Sequence, residues 1–491
     1  MLILTVDKAS TVPVYRQIYE RIGRLVDDGT LVPGDRLPPT RVLAQTVGVH
    51  RSSVLRAYGE LWALGYLESR PGSYSTVRRR VPTRAAVPAA EGTLIDWAAV
   101  STPTTRGARD DAARLGRERE TRESVVDFAR LSADRRIIPS DDLRRCLKAA
   151  LLEEGRELLD YGDAAGYRPL REVIARHMRT HAVAVSADEV LITSGAQHAL
   201  DLVLRLLTRA GNRVAVEAPT YGAALALFRF HGLDLVEIPM GPEGMDLDAL
   251  DDVIARRGPR LVYTIPSFHN PTGITSGQAH RERLLALCEA RRVPIVEDGF
   301  EEEMKYFGKA VLPIKSMDTR GVVIYVGTLS KVVFPGLRIG WIAAPRECVD
   351  RLVAIQRVSC LTGNSLAQAA AARFCRVGHY DAHLRRVHRV YRKRMQAMLR
   401  GLADHMPRGV EWTRPSGGYT LWLRVTGTKA DEDTLQARLL RDGVRVSPGN
   451  LYFQTPRAEP SFRLSIACVT ETEIEEGCRR LGRSLRGIVR A

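Results

Sequence analysis

Residues 327–341 read G-T-L-S-K-V-V-F-P-G-L-R-I-G-W and follow an apolar run typical of a buried strand. A lysine at the end of such a strand is unfavourable unless its charge is neutralised or its amine is used covalently. The amine could form a Schiff base with an aldehyde cofactor, and Thr328, Ser330 and Arg338 would then suit a phosphate group on that cofactor. Ser-Lys alone is typical of a surface turn, but the full spacing S-K-x(5)-L-R-x-G-W favours Lys331 as a cofactor anchor.

This segment resembles the cofactor-lysine segment of the fold-type-I pyridoxal phosphate (PLP) enzymes, the aspartate aminotransferase superfamily. The resemblance implies an α/β domain of that fold with a smaller C-terminal α/β subdomain. It also implies pyridoxal 5'-phosphate as the cofactor, bound to Lys331 as the catalytic lysine.

Length and composition indicate several domains in one globular chain. A chain of 491 residues is too long for a single core, so two or three domains are expected. The seven cysteines are scattered without CxxC spacing, which predicts reduced thiols and a cytoplasmic location. Neither a leader peptide nor a membrane-spanning run is expected. The net charge of +16 fits an anionic partner such as nucleic acid, although a high arginine content can also reflect genome composition.

Residues 10–77 follow the order helix, short helix, turn, helix and hairpin, an α+β pattern typical of a winged helix-turn-helix. The motifs at 31–41 and 48–54 resemble the GntR family of bacterial repressors, which implies that the third helix enters the major groove of double-stranded DNA. The residues that would then face DNA are Thr40, Arg41, His50, Arg51, Ser52, Ser53, Arg56 and, on the wing, Arg70. The alternative is a helix-turn-helix used for protein contacts. Residues 1–80 contain 12 Lys/Arg and 7 Asp/Glu, and this surplus of positive charge favours DNA.

Residues 78–124 are rich in alanine, threonine, proline, glycine and arginine, with one helical patch near 112–119. A connector of this length without a clear period predicts a flexible linker between two domains.

Residues 125–491 alternate apolar strands with helical patterns, which predicts a mostly parallel sheet covered by helices on both faces. The large part is expected at about 160–350, and the small part at about 125–160 plus 351–491. The predicted strands are 190–193, 213–216, 235–238, 261–265, 295–297, 322–326 and 339–343. Ligands of such sheets bind at the carboxyl ends of the strands.

Several motifs at these strand ends resemble cofactor-binding turns of the superfamily. The resemblance implies that Ser194, Gly195, Ala196 and Gln197 hold the phosphate group, that Tyr221 stacks on the ring, that Asn270 donates to the 3-oxygen and that Asp298 pairs with the pyridine nitrogen. Each motif alone is also compatible with an ordinary cap or core residue. Their order along the chain favours the cofactor site.

Two further residues extend the resemblance beyond the sheet. Arg463 matches the arginine that binds a substrate α-carboxylate, and Tyr161 matches the tyrosine that reaches the phosphate group of the neighbouring subunit. The second match implies a homodimer with shared sites.

A GntR-type reader joined to an aminotransferase-like domain resembles the MocR subfamily of regulators. We therefore expect a PLP-dependent transcription regulator that senses an amino compound or PLP itself and binds paired half-sites in DNA. The alternatives are a working aminotransferase with an accessory DNA-binding module, and a PLP-storage or dimerisation protein. Many members carry a tyrosine shortly after the pyridine aspartate, whereas this chain has Phe300 and Glu301, so transamination activity stays open.

Overall fold

The computed structural model of the protein describes residues 4–8, 10–68, 74–78, 95–116, 125–300, 302–486 and 488. The chain divides into two compact units, Met1–Val100 and Ser101–Ala491. No helix in the described parts of the chain is long and apolar enough to cross a membrane.

The first unit contains the predicted winged helix-turn-helix. Its elements are α1 (Val14–Asp27), α2 (Thr40–Val47), α3 (Arg51–Ala63), β1 (Leu67–Glu68), β2 (Thr76–Val77) and α4 (Trp97–Val100). Ile18, Ile22, Leu43, Val54 and Leu61 form the centre of its apolar core. The turn between α2 and α3 passes through Gly48, whose φ of 68° suits a residue without a side chain. β1 and β2 pair in antiparallel fashion as the wing.

The second unit is built on an eight-stranded sheet. The strands of this unit are β3 (Val126–Asp127), β4 (Val190–Thr193), β5 (Arg213–Ala218), β6 (Asp234–Gly241), β7 (Gly244–Met245), β8 (Leu261–Thr264), β9 (Ile295–Asp298), β10 (Val323–Thr328), β11 (Gly340–Ala343), β12 (Val410–Trp412), β13 (Thr420–Val425), β14 (Val444–Arg445), β15 (Ser447–Pro448) and β16 (Ser461–Ser465). The large sheet has the order β4-β11-β10-β9-β8-β5-β6-β7. Its centre is parallel and fully buried, which explains why these strands appear in the sequence as continuous apolar runs.

Helices cover this sheet and form much of the rest of the unit. They are α5 (Pro103–Gly116), α6 (Ser140–Glu154), α7 (Arg168–Thr180), α8 (Ala196–Leu207), α9 (Gly222–Phe230), α10 (Leu247–Arg257), α11 (Gln278–Arg291), α12 (Arg346–Cys360), α13 (Ser365–Arg376), α14 (His379–His405), α15 (Glu432–Arg441) and α16 (Glu471–Arg486). A second sheet of order β12-β13-β16-β15 forms the smaller subdomain, and β3 pairs in parallel with β14 beside it.

Part of the predicted flexible linker is helical instead. α5 packs against α9, and Asp111 of α5 forms an ion pair with Arg229 of α9, with 2.8 Å between Oδ1 and Nη2. The helical signal in the sequence is weak here because α5 lacks a broad apolar stripe and is held by polar contacts as well as packing. Residues 79–94 and 117–124 of the predicted linker lie outside the described residues.

Candidate functional site

A cavity of about 140 Å³ lies at the carboxyl ends of the central strands. Its walls are formed by Ser132, Ala196, Gln197, Tyr221, Ile265, Asn270, Asp298, Phe300, Thr328, Ser330, Lys331, Pro335 and Arg338. Nine of the residues predicted from sequence therefore meet in one place, although they are spread from position 196 to position 338. The topology causes this convergence, because parallel strands deliver their carboxyl ends to a single edge of the sheet.

Lys331 follows the end of β10 and reaches into this cavity. Its Nζ donates a hydrogen bond to the backbone carbonyl of Leu131, with a separation of 2.9 Å. The acceptor belongs to the stretch just after β3, which also supplies Ser132 to the cavity wall. Sequence reasoning missed this stretch, because a backbone carbonyl carries no signal in a residue pattern.

Asp298 ends β9 and is buried against Tyr263 of β8. The Tyr263 hydroxyl donates to Oδ2 at 2.8 Å, whereas Oδ1 is buried and has no hydrogen-bond partner among the described residues. Burial raises the pKa of Asp298 to about 6, against the opposing effects of the Tyr263 hydrogen bond, the Phe300 backbone N–H and the Lys331 charge. Tyr263 was not predicted, although a tyrosine near the end of a strand that neighbours β9 was the available signal.

The turn that leads into α8 lies beside Arg338. Arg338 Nη2 donates to the carbonyl of Ser194 at 3.0 Å, and a side chain at Gly195 would place its Cβ 2.5 Å from that nitrogen. Gly195 has a φ of 91°, and no side chain caps the first turn of α8. Ser330 Oγ is buried nearby, without a partner in the described structure. Helix N-terminal amides without a side-chain cap, a hydroxyl and a guanidinium together suit an anion such as a phosphate group.

Arg463 lies in β16, where it is only 4% exposed. Its Nη1 donates to Asn270 Oδ1 at 3.4 Å, and its Nη2 donates to the carbonyl of Ala129. The guanidinium also lies 5.3 Å from the centre of the Tyr452 ring. The predicted carboxylate-binding arginine therefore contacts a residue of the cavity wall; Ala129 and Tyr452 were not predicted.

Tyr161 is placed differently from the other predicted residues. Its side chain is 79% exposed and does not line the cavity of its own chain. This placement leaves open the predicted contact with a neighbouring subunit. Phe300, which stands where many members of the resembling family carry a tyrosine, lines the cavity. Tyr306, the next tyrosine along the chain, is buried but does not line the cavity, and its ring centre lies 5.7 Å from that of His388.

The predicted DNA-facing residues cluster at the start of α2 and along α3. Arg41, His50, Arg51, Ser52 and Arg56 are exposed, and Thr40 and Ser53 are half-buried. His50 caps α3, because its side chain accepts from the Ser52 backbone N–H. Arg51 Nε lies 3.4 Å from Thr40 Oγ1, and the Arg56 guanidinium lies over the Tyr15 ring at 3.9 Å. Arg70 lies outside the described residues.

Two known families match the chain. The aminotransferase class I and II family matches residues 137–481, and the bacterial regulatory proteins of the gntR family match residues 14–77. The probable rhizopine catabolism regulatory protein MocR of Rhizobium meliloti is 31% identical over 483 residues, which cover 97% of this chain and 95% of that protein. The HTH-type transcriptional regulator TauR of Rhodobacter capsulatus is 32% identical over 483 residues, which cover 96% of each protein.

Solved structures match the second unit. LysN, an alpha-aminoadipate aminotransferase from Thermus thermophilus complexed with N-(5'-phosphopyridoxyl)-L-leucine, is 33% identical with a TM-score of 0.74. The match covers 80% of this chain and 99% of that one. The fold, the cavity and these relatives define a PLP-dependent regulator of transcription with a DNA-binding GntR domain. The chain belongs to the MocR subfamily of GntR-type regulators, as its motifs indicated.

The cavity fits pyridoxal 5'-phosphate by its own chemistry. The unpartnered Oδ1 of Asp298 suits a protonated ring nitrogen, and the unpartnered Oγ of Ser330 suits a phosphate oxygen, both judged within the described structure. Gly195 keeps the space beside Arg338 clear of a side chain. A buried carboxylate oxygen and a buried hydroxyl without partners are unfavourable unless a ligand satisfies them.

Proposed function

We propose that the aminotransferase-like domain senses an amino compound and that this binding changes how the winged domain engages paired operator half-sites. The observation that carries the proposal is the meeting of Lys331, Asp298 and Arg338 in one cavity, with Arg463 against its wall. These four side chains supply an amine, a carboxylate and two guanidinium groups, from the end of β9, the connection between β10 and β11, and β16. A protein that acts on DNA in this way would work in the cytoplasm.

Each group of residues has a distinct proposed role toward the cofactor. Lys331 binds the aldehyde carbon, Asp298 holds the ring nitrogen and Asn270 faces the 3-oxygen. The phosphate group is held by Ser194, Gly195, Ala196, Gln197, Thr328, Ser330 and Arg338, and Tyr221 supports the ring face. When bound, the cofactor supplies an aldehyde that captures primary amines and a ring that withdraws electrons.

Arg463 is proposed to select the effector by its carboxylate. A guanidinium binds a carboxylate through two parallel hydrogen bonds, and burial of the arginine strengthens that interaction. Arg229, the nearest basic residue after Tyr221 in sequence, is already paired with Asp111. We therefore favour amino acids with one carboxylate, because no second basic group is available on α9 for a side-chain carboxylate.

The decisive experiment follows the cofactor and the DNA in the same samples. Holoprotein is titrated with a panel of amines and amino acids, with and without a keto-acid acceptor, while the cofactor spectrum and operator affinity are recorded. A sensor should show a lasting spectral change together with a change in operator affinity. Borohydride should fix the cofactor to Lys331, and the Lys331→Ala protein should lose both responses.

A working aminotransferase is the second candidate, favoured by the eight other predicted cofactor-facing residues that line the cavity with Lys331. It predicts many turnovers at about 1 per second or faster, with keto product and unchanged operator affinity. That outcome would overturn the sensor proposal. Reduction of the cofactor onto another lysine in the Lys331→Ala protein would overturn the assignment of Lys331 as the cofactor anchor.

The proposed DNA contacts are Thr40, Arg41, His50, Arg51, Ser52, Ser53, Arg56 and Arg70. Arg51→Ala should weaken operator binding and reduce its dependence on salt, because fewer counterions are released when a phosphate contact is lost. Arg24→Ala, on α1, serves as the charge-matched control. A normal gel shift by the Arg51→Ala protein across salt concentrations would exclude α3 as the reading helix.

A further inference from the structure

His177, His181 and Glu303 bring three metal-binding atoms together outside the cofactor cavity. Their donor atoms all lie within 4.8 Å of one another. The Nε2 atoms of both histidines face the same oxygen, Oε1 of Glu303, and the His181 separation is 3.2 Å. Ligands around a tetrahedral ion at about 2.0–2.1 Å lie roughly 3.3 Å apart, which is close to the separation between His181 and Glu303.

The sequence positions explain how the two imidazoles converge. His177 lies in the last turn of α7 and His181 directly follows its end, so the spacing of four residues places both on one face of the helix. Glu303 comes from the loop after β9. The His177 ring also packs edge-on against Tyr380, with ring centres 5.6 Å apart, which restricts its orientation.

We propose that His177, His181 and Glu303 form a binding site for a divalent transition-metal ion, with Zn²⁺ as the best fit. Two imidazole nitrogens and one carboxylate oxygen are ligands that Zn²⁺ prefers, whereas Mg²⁺ and Ca²⁺ prefer oxygen alone. A fourth position is left for water. His177 also lines a cavity of about 370 Å³ beside the cluster.

Charge balance favours a metal over a simple ion pair. One carboxylate can neutralise one protonated imidazole, and a second imidazolium beside the first would be repelled. A dication bound to two neutral imidazoles avoids that repulsion. The neighbouring Glu302 carries a buried Oε2 without a partner in the described structure. The cavity wall that contains His177 also carries Asp381, Arg176 and Arg376.

The metal would join α7 to the loop that begins at the cofactor aspartate. Glu303 lies three residues after Phe300, a residue of the cofactor cavity wall. Metal binding should therefore hold this loop in place and slow its backbone hydrogen exchange.

The test uses holoprotein treated with a chelator and then freed of it. Calorimetric titration with ZnCl₂ should give one site per chain, with a higher melting temperature and slower hydrogen exchange in the peptide around 302–306. His177→Gln, His181→Gln and Glu303→Gln should each weaken Zn²⁺ binding by on the order of 100-fold or more, because even residues behind a ligand contribute about 10–100-fold. MgCl₂ should have no effect.

His231→Gln is the matched control. His231 also contacts a carboxylate, with 2.7 Å between Nε2 and Asp201 Oδ1, but among the described residues this pair is not part of a three-ligand cluster. The control should bind Zn²⁺ as the unchanged chain does. Equal binding by all variants, a matching response to Mg²⁺, or no saturable Zn²⁺ binding by the unchanged chain would overturn the proposal. Circular dichroism and the cofactor spectrum show whether each variant is folded.

Discussion

Burial makes the ionised form of Asp298 less favourable in the folded chain. The same buried carboxylate is suited to pair with a protonated ring nitrogen. Its ordinary pKa of 3.8 rises to about 6 in the folded chain. A raised carboxyl pKa means that the folded state binds a proton more tightly than the unfolded state does. The resulting loss of stability is absent below pH 3.8, develops as the pH rises, and is complete above about pH 6.

Asp298→Asn should therefore stabilise the cofactor-free protein at pH 8 while weakening its hold on the cofactor. The asparagine keeps an acceptor for Tyr263 but carries no charge. The expected gain in the free energy of unfolding is about 2–3 kcal/mol, measured by denaturant titration, and it should shrink as the pH falls toward 4. A pH-independent difference would show that charge burial is not its cause.

Phe300 places a hydrocarbon ring where a hydroxyl would add a donor to the cavity wall. Phe300→Tyr should increase keto-product formation with a responsive amino acid, since one added hydrogen bond contributes about 1 kcal/mol, or roughly fivefold. Phe307→Tyr is the control, because Phe307 packs on Tyr306 and does not line the cavity. Equal effects of the two substitutions would exclude a specific role for position 300.

At the scale of elements, the turn before α8 combines backbone conformation with anion binding. Gly195→Ala should strain a φ of 91° and push against Arg338. Gly211→Ala imposes similar strain at a φ of 81° with open space around it. Both variants should lose about 1–2 kcal/mol of stability, but only Gly195→Ala should weaken cofactor binding, as measured by equilibrium dialysis. Similar cofactor affinities would remove the turn from the phosphate site.

The elements that sequence predicted best are those whose burial leaves a pattern. The central strands stand out because both of their faces are covered, and the motifs at their ends carry recognisable side chains. Most of α5 was missed, beyond its overlap with the helical patch predicted near 112–119, because its composition is mostly polar and one of its anchors is an ion pair to Arg229. The carbonyls of Ala129 and Leu131 could not be predicted, because any residue type offers the same backbone oxygen.

At the scale of the whole molecule, Tyr161 is one of several large apolar or aromatic side chains that the second unit leaves exposed. Gly162, which follows Tyr161, packs against the start of α13, because a Cβ at Gly162 would lie 2.5 Å from Ser365 Oγ. Leu152, Val358 and Leu361 are other exposed apolar residues at the ends of α6 and α12. Such a surface suits an interface between two copies of the chain.

A mixed dimer can test the proposed sharing of sites. Tyr161→Ala and Lys331→Ala chains, carrying different tags, are co-expressed and purified as a pair. If Tyr161 serves the partner's phosphate group, one site in the mixed dimer has both residues and the other has neither. The mixed dimer should hold about one tightly bound cofactor, whereas each single-variant homodimer should hold it weakly or not covalently. Equally tight binding by the Tyr161→Ala homodimer would exclude the shared site.

The backbone of residues 129–131 contacts both the proposed carboxylate-binding Arg463 and the proposed cofactor lysine Lys331. Ala129 accepts from Arg463 and Leu131 accepts from Lys331, so a carboxylate at the arginine and a change at the lysine act on the same few peptide groups. By thermodynamic reciprocity, occupancy at either group alters affinity at the other by the same factor. This stretch continues in sequence toward the DNA-binding unit. If both ligands bind as proposed, this shared backbone predicts that cofactor and amino ligand affect each other's affinity.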